Sequence, residues 1–291
     1  MNYVSVIIPT LNDAERLKLC LDALAKQTYL NFEVIVVDNG SQDVAAHERV
    51  CKAFEFVTFT TETKPGSYAA RNKGLGLAKG DIFAFTDSDC LPVPQWLEAG
   101  VASLVGKGLV AGRIEIFPEN IQNPSAVELY EMVFAFPQEE YVAQSGYGVT
   151  ANMFTRQAVI DKVGNFNAEL LSGGDRDFGE RVRSAGFEAI YSAEACVRHP
   201  ARQTAAELKK KVRRTLGGLR DRDSSLSHAV DLLKEFLKPP IKLTLNMLRD
   251  KEHGFTLIQK LKVCKVAAQM RYLMAKETLS LWLRQGSSSR V

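Results

Sequence analysis

The sequence predicts an α/β fold in which a mostly parallel sheet is flanked by helices and followed by a helical C-terminal region. Two continuous apolar runs, residues 4–8 and 34–37, are typical of buried parallel strands. Between them, apolar residues recur at helical spacing after Asn12-Asp13, which we expect to begin the helix. A strand–helix–strand order of this kind indicates βαβ units with helices on both faces of the sheet.

The same alternation continues along the chain. Glycines mark the predicted ends of several helices, because glycine readily adopts the left-handed backbone that closes a helix. Further strands are predicted at residues 56–59, 81–85, 109–116, 189–191 and 195–197, and helices at 68–79, 95–105, 156–163 and 178–185. From about residue 204 the chain becomes helical and basic, and its last helix is predicted at about 255–284.

Length and composition set the protein class. A chain of 291 residues that is 46% hydrophobic can bury a large core, as one domain with an extension or as two domains. The five cysteines are scattered and form no C-x-x-C pair, which favours reduced thiols over a disulfide framework or a zinc site. The N-terminus enters a strand pattern without a signal-peptide pattern, so we expect a cytoplasmic protein.

The charges are distributed unevenly along the chain. Residues 1–197 contain 16 Lys and Arg against 26 Asp and Glu, a net charge of −10. Residues 198–291 contain 21 against 8, a net charge of +13. The sequence therefore predicts an acidic body and a basic tail that favours an anionic partner or surface.

The most informative motif is Asp87-Ser88-Asp89, which directly follows the predicted strand at 81–85. Carboxylates spaced in this way at a strand end can hold a hard divalent cation and leave coordination positions for phosphate oxygens. Asp and Ser are also common in surface turns, so the motif needs support from its neighbours.

Polar residues also follow the first two predicted strands, and ligands of such sheets bind beyond these carboxyl ends. Pro9, Thr10 and Asn12 follow the first strand, and Asp38 follows the second. A carboxylate at position 38 can accept a hydrogen bond from the imide N–H of a uracil-type base, although Asp-Asn-Gly is also an ordinary turn sequence. Farther along, Arg71 could face a phosphate or an acidic partner, or be an exposed helix cation.

Two later positions complete the set of candidates. Asp175 and Asp177 lie in a glycine-rich entry to a predicted helix, where Asp177 fits the N-cap and Asp175 remains as the catalytic candidate. His199 could act as a third metal ligand through a neutral imidazole, or be an ordinary structural histidine.

Taken together and in order, these segments resemble the family 2 glycosyltransferases with the GT-A fold, a Rossmann-like sheet, over roughly residues 4–202. Residues 4–12 resemble the opening strand and nucleotide loop of the family, 37–41 its base-binding turn, and 65–74 its next signature. Asp87-Ser88-Asp89 resembles its metal motif, and 148–156 with 164–166 its acceptor-side segment. Residues 174–177 stand where the family commonly has Glu-Asp-x-Asp, and the chain has Gly174 in place of the Glu. In the base-binding turn, Asn39 replaces the commoner second Asp.

The resemblance implies a nucleotide-sugar donor, expected to be UDP-linked, bound Mn²⁺ or Mg²⁺, and inversion at the anomeric carbon. It implies that Asp89 and His199 hold the metal and that Asp175 is the catalytic base. The donor would be bound by residues at the strand ends and the loops beside them: Pro9, Thr10, Asn12, Asp38, Gly66, Arg71, Asp87 and Ser88. The acceptor would be a saccharide or lipid-linked hydroxyl in surface polysaccharide or glycolipid synthesis. Residues 1–203 would form the glycosyltransferase domain and 204–291 a basic, mainly helical region.

The basic region admits two interpretations. In its last predicted helix, steps of three and four residues place Ile258, Leu261, Cys264, Ala268, Tyr272, Ala275, Leu279 and Trp282 on one apolar face. This face could lie on an anionic membrane, which would make the protein peripheral on the inner face of the membrane. The alternative, which we favour, is a lid or homodimer face. No zinc finger, recognition helix or aromatic–basic pattern supports nucleic-acid binding.

Two other functions remain open at this point. A nucleotidyltransferase would use similar paired acids, but it usually needs a basic glycine-rich loop after the first strand, where this chain has Pro9-Thr10-Leu11-Asn12. A catalytically silent nucleotide-sugar binding or scaffold protein is favoured by the missing Glu at Gly174.

Overall fold

The structure is a computed structural model that describes residues 2–251 and 253–283. The chain forms two compact units. The sheet unit comprises the residues up to Glu115 together with Phe136–His199, and the helical unit comprises Ile116–Ala135 together with the chain from Pro200 onward. The sequence placed a domain boundary at residue 203 and did not anticipate that residues 116–135 group with the helical region.

One sheet contains all the strands of the described residues, in the order β3-β2-β1-β4-β7-β6-β8-β5. The strands are β1 (Val4–Thr10), β2 (Phe32–Asp38), β3 (Val57–Thr61), β4 (Ile82–Thr86), β5 (Leu91–Pro92), β6 (Leu109–Phe117), β7 (Asn152–Arg156) and β8 (Ala189–Pro200). Strands β1 to β4 pair in parallel, whereas β7 runs antiparallel to both β4 and β6. The predicted mostly parallel sheet with flanking helices is confirmed, with antiparallel strands added at one side.

The helices of the sheet unit follow its strands in alternation. They are α1 (Ala14–Leu24), α2 (Val44–Cys51), α3 (Ser67–Leu75), α4 (Trp96–Ser103), α6 (Gln138–Ser145), α7 (Gln157–Val163) and α8 (Gly174–Ser184). The helical unit contains α5 (Ala126–Phe134), α9 (Ala205–Arg222), α10 (Leu226–Leu237), α11 (Ile241–Arg249) and α12 (Leu257–Leu283). Arg284, the predicted end of the last helix, lies outside the described residues.

Several predicted boundaries were wrong. The helix predicted at 68–79 ends at Leu75 rather than before Gly80. The helix predicted at 178–185 begins four residues earlier, at Gly174, so Asp177 is not its N-cap. The two short strands predicted near the end of the sheet unit are one continuous strand, β8.

Two helices and a strand, α5, α6 and β7, lie between residues 117 and 156, where the sequence predicted no helix or strand. Helix α5 begins at a capping box, in which Ser125 accepts a hydrogen bond from the Glu128 backbone and the Glu128 side chain accepts one from the Ser125 backbone. The sequence Ser-x-x-Glu before an apolar run is a known signal for such a start, so this helix could have been found.

The core of the sheet unit surrounds its central strands. Fully buried aromatic side chains carry much of its volume, and helix α8 joins it through Phe178 and Val182. Its largest buried members include Ile7, Phe83, Phe85, Met153, Phe166 and Phe178. This packing fixes the N-terminus of α8 relative to the strand ends, because Phe166 contacts both Phe85 and Phe178.

The helical unit has a core of its own. Leu208, Val212 and Leu216 of α9 pack with Val266 and Met270 of α12. The packed side of α12 is therefore not the predicted apolar face: Ile258, Leu261, Tyr272 and Leu279 are all exposed, and only Ala275 of the predicted set is buried. The helix has two apolar sides, and spacing alone does not tell which one packs. Within the described residues no helix is long and apolar enough to cross a bilayer.

A buried carboxylate joins three segments of the helical unit. Glu131 of α5 is 1% exposed and accepts hydrogen bonds from Arg202 at 2.6 Å and from Lys211 of α9 at 3.0 Å. These two cations hold the pKa of Glu131 below its ordinary value against the opposing effect of burial. Removing either side of such a group leaves an unpaired buried charge.

Candidate active site

The ends of β1 and β2 bring two unpaired polar atoms together. Thr10 and Asp38 are register partners in the parallel pair, and both are buried. Thr10 Oγ1 and Asp38 Oδ2 have no hydrogen-bond partner, although Asp38 Oδ1 accepts hydrogen bonds from the Gly40 and Ser41 backbones at 3.1 and 3.0 Å. Buried polar atoms without partners are costly, so a pair of them at a strand end indicates the place of a ligand.

The loops after these strands hold each other. The Asn12 backbone N–H donates to Ser41 Oγ at 2.8 Å, and Asn12 Oδ1 accepts from the Gln42 backbone at 2.7 Å. Asn12 has a positive φ of 55°, which asparagine tolerates better than most residues. The predicted donor residue Asn12 therefore shapes the loop, and Pro9 lies beside it at the end of β1.

Asn39 explains one departure from the family pattern. Its side-chain amide donates to the carbonyls of Glu62 and Lys64 at 2.9 and 2.8 Å, and its oxygen accepts from the Gly66 backbone at 2.7 Å. A carboxylate at this position could not donate either bond. Gly66, a predicted donor residue with φ of 119°, is thereby fixed before the first turn of α3.

Arg71 is buried and paired on the donor side of the site. The Arg71 side chain is 3% exposed, and its Nη2 donates to Asp87 Oδ1 at 2.5 Å. Its Nε has no partner. The guanidinium also lies over the ring of Tyr68, 5.8 Å from the centroid. Ser88, the middle residue of the motif, is buried next to this pair.

Asp175, the candidate base, is the second residue of α8. It is partly buried, and Thr150 donates to its Oδ1 at 2.9 Å. Burial raises the pKa of Asp175 above its ordinary value, opposed by Arg71 and the Thr150 hydroxyl and assisted by Asp87. A raised pKa suits a group that must take a proton, because proton transfer is favoured when the pKa lies nearer the working pH.

Tyr68 explains the second departure from the family pattern. A Cβ placed on Gly174 would lie 2.7 Å from two carbons of the Tyr68 ring, so position 174 has no room for a side chain beside this tyrosine. The Tyr68 hydroxyl accepts a hydrogen bond from the Asp175 backbone N–H at 3.3 Å. Tyr68 therefore occupies the space beside the helix start and holds Asp175 in place.

Asp177 has a different role from the predicted N-cap. Its carboxylate pairs with Arg181 one helical turn later, at 3.1 Å. The N-cap of α8 is Gly173, in the left-handed conformation with φ of 82°. Asp177 therefore stabilises the first turns of the helix, while Asp175 remains available.

Asp89 and His199 form the candidate metal pair. Asp89 Oδ1 lies 3.6 Å from His199 Nε2, which is too long for a hydrogen bond and fits two ligands bound at about 2.1 Å to one ion. Cys90 lies in the same cluster, but burial raises its pKa well above the ordinary value, and its thiol is oriented to donate to the Ala151 carbonyl. A carboxylate oxygen and an imidazole nitrogen, with the thiol held protonated, fit a Mn²⁺-type ion better than a thiolate-bound one.

The structure thus places the predicted residues in two neighbouring groups. In the first group, Arg71 interacts electrostatically with Asp87 and Asp175. In the second, Asp89 lies close enough to His199 for both to bind one metal ion. Sequence reasoning missed Tyr68, Thr150 and His47, whose Nδ1 is 3.8 Å from Asp38 Oδ2. Thr150 and Tyr68 fall inside the motif segments 148–156 and 65–74, but no spacing rule marks their contacts with Asp175.

The model of the family described as Glycosyl transferase family 2 matches residues 5–164. The chain belongs to glycosyl transferase family 2. Glycosyltransferase AglE of Haloferax volcanii is 39% identical over 218 residues, which span 72% of this chain and 71% of AglE. A PGL/p-HBAD biosynthesis glycosyltransferase of Mycobacterium tuberculosis is 30% identical over 187 residues, 62% of this chain and 69% of its own length.

Family 2 membership agrees with the fold. The mannosyltransferase PcManGT from Pyrobaculum calidifontis, solved in complex with GDP-Man and Mn²⁺, is similar with a TM-score of 0.59 at 20% sequence identity. The match covers 98% of this chain and 76% of PcManGT. The GT-A type fold inferred from the motif resemblance is therefore confirmed. Membership of the family implies a nucleotide-sugar donor and an acceptor.

Proposed function

We propose that this family 2 protein is a metal-dependent, inverting glycosyltransferase that moves a sugar from a UDP-linked donor to an acceptor hydroxyl in surface polysaccharide or glycolipid synthesis. The observation that carries the proposal is the shared guanidinium of Arg71, which pairs with Asp87 and interacts electrostatically with Asp175. The same cation therefore interacts with the acid assigned to the donor, Asp87, and with the candidate base, Asp175.

The chemistry assigned to Asp175 is proton abstraction. Its carboxylate takes the proton of the acceptor hydroxyl as the hydroxyl oxygen forms a bond to the anomeric carbon. The bond from that carbon to the nucleoside diphosphate breaks on the opposite side, and one displacement inverts the configuration. Thr150 positions the Asp175 carboxylate by donating a hydrogen bond to it, and Tyr68 positions the residue by accepting one from its backbone N–H.

Asp89 and His199 are the residues proposed to hold Mn²⁺ or Mg²⁺. When bound, the ion neutralises charge on the departing diphosphate. Asp87, tied to Arg71, is proposed to orient the ribose or sugar of the donor, with Ser88 and Gly66 beside it.

Asp38 and Thr10 are proposed to bind the donor base. Asp38 Oδ2 is a buried acceptor without a hydrogen-bond partner, and Thr10, its register partner on β1, has a hydroxyl that can donate or accept. This pair suits an imide N–H next to a carbonyl, which uracil presents. Guanine also presents an N–H beside a carbonyl, and the fold neighbour was solved with GDP-Man, so guanine nucleotides belong in the test.

The silent-scaffold and nucleotidyltransferase alternatives make different predictions. The Gly174 departure, which favoured a silent protein, coincides with a tyrosine ring where a side chain at position 174 would begin, and the Asp175 backbone N–H donates to that tyrosine hydroxyl. No basic glycine-rich loop follows β1, where a nucleotidyltransferase would hold a triphosphate. Transfer or donor hydrolysis separates an enzyme from a scaffold, and a triphosphate requirement would identify a nucleotidyltransferase.

The test is a thermal-shift screen of UDP-, GDP- and dTDP-sugars with and without Mn²⁺, followed by transfer assays on the donors that bind. A ligand that binds the native state raises the melting temperature. We expect metal-dependent stabilisation by one nucleotide series, lost in Asp89→Ala and retained in Asp161→Ala, which changes an exposed acid outside the site. An increase in melting temperature that is the same with and without Mn²⁺, or an Asp89→Ala protein with full transfer activity, would overturn the metal assignment.

We also propose that the helical unit docks on an anionic membrane surface at the inner face of the membrane. Helix α11 exposes Ile241, Leu245 and Leu248 at steps of four and three residues, a continuous apolar stripe. Lys242 and Arg249 lie on the same short helix. Apolar side chains flanked by cations favour the boundary between acyl chains and anionic headgroups.

Liposome flotation of the full chain tests this partner. We expect binding to phosphatidylglycerol vesicles, weak binding to phosphatidylcholine vesicles, and loss of binding in Ile241→Asp/Leu245→Asp. Leu30→Asp, at an exposed leucine of the sheet unit, is the matched control. Unchanged flotation of the double variant, or dimerisation through this stripe in light scattering, would instead favour the homodimer interpretation.

A further inference from the structure

The helical unit contains a cavity that the proposed transfer reaction does not use. Its volume is about 560 Å³, within the range of about 300–1,000 Å³ that is usual for small-ligand sites. Apolar side chains from α5, α11 and the Pro239-Pro240 turn line much of it, including Val133, Phe134, Leu243 and Met247. A cavity of this size and lining fits a hydrocarbon chain.

Cations stand among the lining residues. Lys238, Lys242 and Arg271 all line the cavity, together with two acids, Glu235 and Asp250. Both acids already have partners, since Glu235 pairs with Lys238 at 2.7 Å and Asp250 with His253 at 3.1 Å. The three lining cations exceed the two lining acids by one charge, and within the described residues Lys242 and Arg271 form no ion pair with either acid.

Arg271 has an unmet hydrogen-bonding need. Its Nη2 donates to the Glu235 backbone carbonyl, but its Nε is buried and has no partner. Lys242, another lining residue, is exposed and forms no ion pair with any described residue. A buried guanidinium N–H and an unpaired ammonium beside an apolar cavity match an anionic head attached to an apolar chain.

We propose that this cavity binds a phosphate-headed lipid, with the chain among Val133, Phe134 and Met247 and the phosphate between Lys242 and Arg271. The chain's own terminus is a poor occupant, because residues 284–291, RQGSSSRV, contain a single apolar side chain. None of the lining residues is assigned to donor binding, so the test is a binding measurement that does not depend on glycosyl transfer.

The first probe is dodecyl phosphate below its micelle concentration, titrated calorimetrically into the full chain. We expect one molecule per chain, bound at least about tenfold more tightly than dodecanol or inorganic phosphate, because charge-assisted hydrogen bonds and chain burial each contribute. Equal affinity of dodecyl phosphate and dodecanol, or many molecules bound per chain, would overturn the site.

Two pairs of variants locate the binding. Lys242→Glu is expected to weaken dodecyl phosphate binding about tenfold, whereas Lys262→Glu makes the same charge change at an exposed position outside the lining and leaves it unchanged. Asn246→Trp, from an exposed lining position, is expected to fill the cavity and remove binding, and Asn246→Ala to preserve it. Equal losses in both lysine variants would mean general electrostatic attraction and would overturn the proposal.

Competition identifies the source of the lipid. Short-chain phosphatidylglycerol represents a bilayer phospholipid, and farnesyl phosphate represents an isoprenoid carrier. Displacement of dodecyl phosphate by either compound supports the site and names its source. Displacement by neither, with the helical unit folded as judged by circular dichroism, would overturn it.

Discussion

Buried carboxylates have opposite surroundings in the two units of this protein. In the helical unit, Glu131 is fully enclosed and accepts hydrogen bonds from Arg202 and Lys211. In the sheet unit, Asp38 is as deeply buried, yet Asp38 Oδ2 has no hydrogen-bond partner. A buried acid whose partners are complete stabilises the fold, whereas one whose partners are incomplete marks a place for a ligand.

The pKa values of the acids follow the same division. Two cations lower the pKa of Glu131, although burial opposes them. Burial raises the pKa of Asp175, although Arg71 and Thr150 oppose it. The helical unit thus keeps its buried acid ionised, and the sheet unit holds Asp175 ready to accept a proton.

The largest expected effect is on turnover, in Asp175→Asn. An amide cannot take the acceptor proton, so we expect kcat to fall by about 10²- to 10⁴-fold with the donor dissociation constant unchanged. Steady-state kinetics and donor titration measure the two quantities. Asp177→Asn, which breaks only the pair with Arg181, should retain most activity. Full turnover in the Asp175 variant would remove the base assignment.

The next effect is on folding, in Glu131→Ala. Losing the carboxylate leaves the partly buried Arg202 and Lys211 without this acceptor, and we expect a loss of about 3 kcal/mol in the free energy of unfolding. Urea denaturation measures it. Asp231→Ala removes the partner of an exposed pair with Lys234 and should cost about 0–1 kcal/mol. Similar costs for the two variants would contradict the structural role of Glu131.

A fall in pH should change the stability contributions of Glu131 and Asp175 in opposite directions. Glu131 has a lowered pKa, so its stabilising contribution is complete above 4.5 and is lost as the pH falls through its folded value. Asp175 has a pKa raised above 3.8, so its ionisation lowers the free energy of unfolding as the pH rises through that raised value. Activity, which needs the ionised base, is lost as the pH falls through the same value. We expect an acid limb in kcat/KM that is absent from the residual activity of Asp175→Asn, which should also unfold at a slightly higher temperature at pH 7. A variant less stable than the wild type at that pH would contradict the raised pKa.

The smallest effects compare one glycine from each unit. Gly174→Ala places a Cβ 2.7 Å from the Tyr68 ring, and we expect about 1–3 kcal/mol of destabilisation with a lower kcat, because Asp175 shifts with the helix start. Gly217→Ala in α9 meets open space and should stabilise by about 0.5–1 kcal/mol. Thermal and urea unfolding check both. A neutral Gly174→Ala would mean that Tyr68 moves aside without cost.

Much of the sheet unit could be predicted because its strands are continuous apolar runs and its polar residues follow them directly. Asp38 and Asp87-Ser88-Asp89 were placed at strand ends by counting alone, and family membership agrees with the order of these motifs. The start of helix α8 was harder to predict, because two consecutive glycines, Gly173 and Gly174, are not a usual helix start. The reason for Gly174 is the Tyr68 ring packed beside it, which only the structure shows. The roles of the site residues remain predictions.

The helical unit shows the limit of periodicity. In α12 the predicted apolar face, including Ile258 and Tyr272, is exposed, while Val266 and Met270 are packed. Both sides repeat at helical spacing, so spacing could not choose between them. The choice depends on α9, which supplies Leu208, Val212 and Leu216 as the opposing surface.

By itself the sequence determined most of the strand–helix alternation up to residue 117, the acidic and basic parts of the chain, and the acids that follow the strands, because these depend on local composition and spacing. Only the tertiary structure decided that Arg71 pairs with Asp87, that Tyr68 fills the space beside Gly174, and that Asp89 lies 3.6 Å from His199. Contacts between residues distant in the chain depend on how the elements pack, and packing is a property of the whole core.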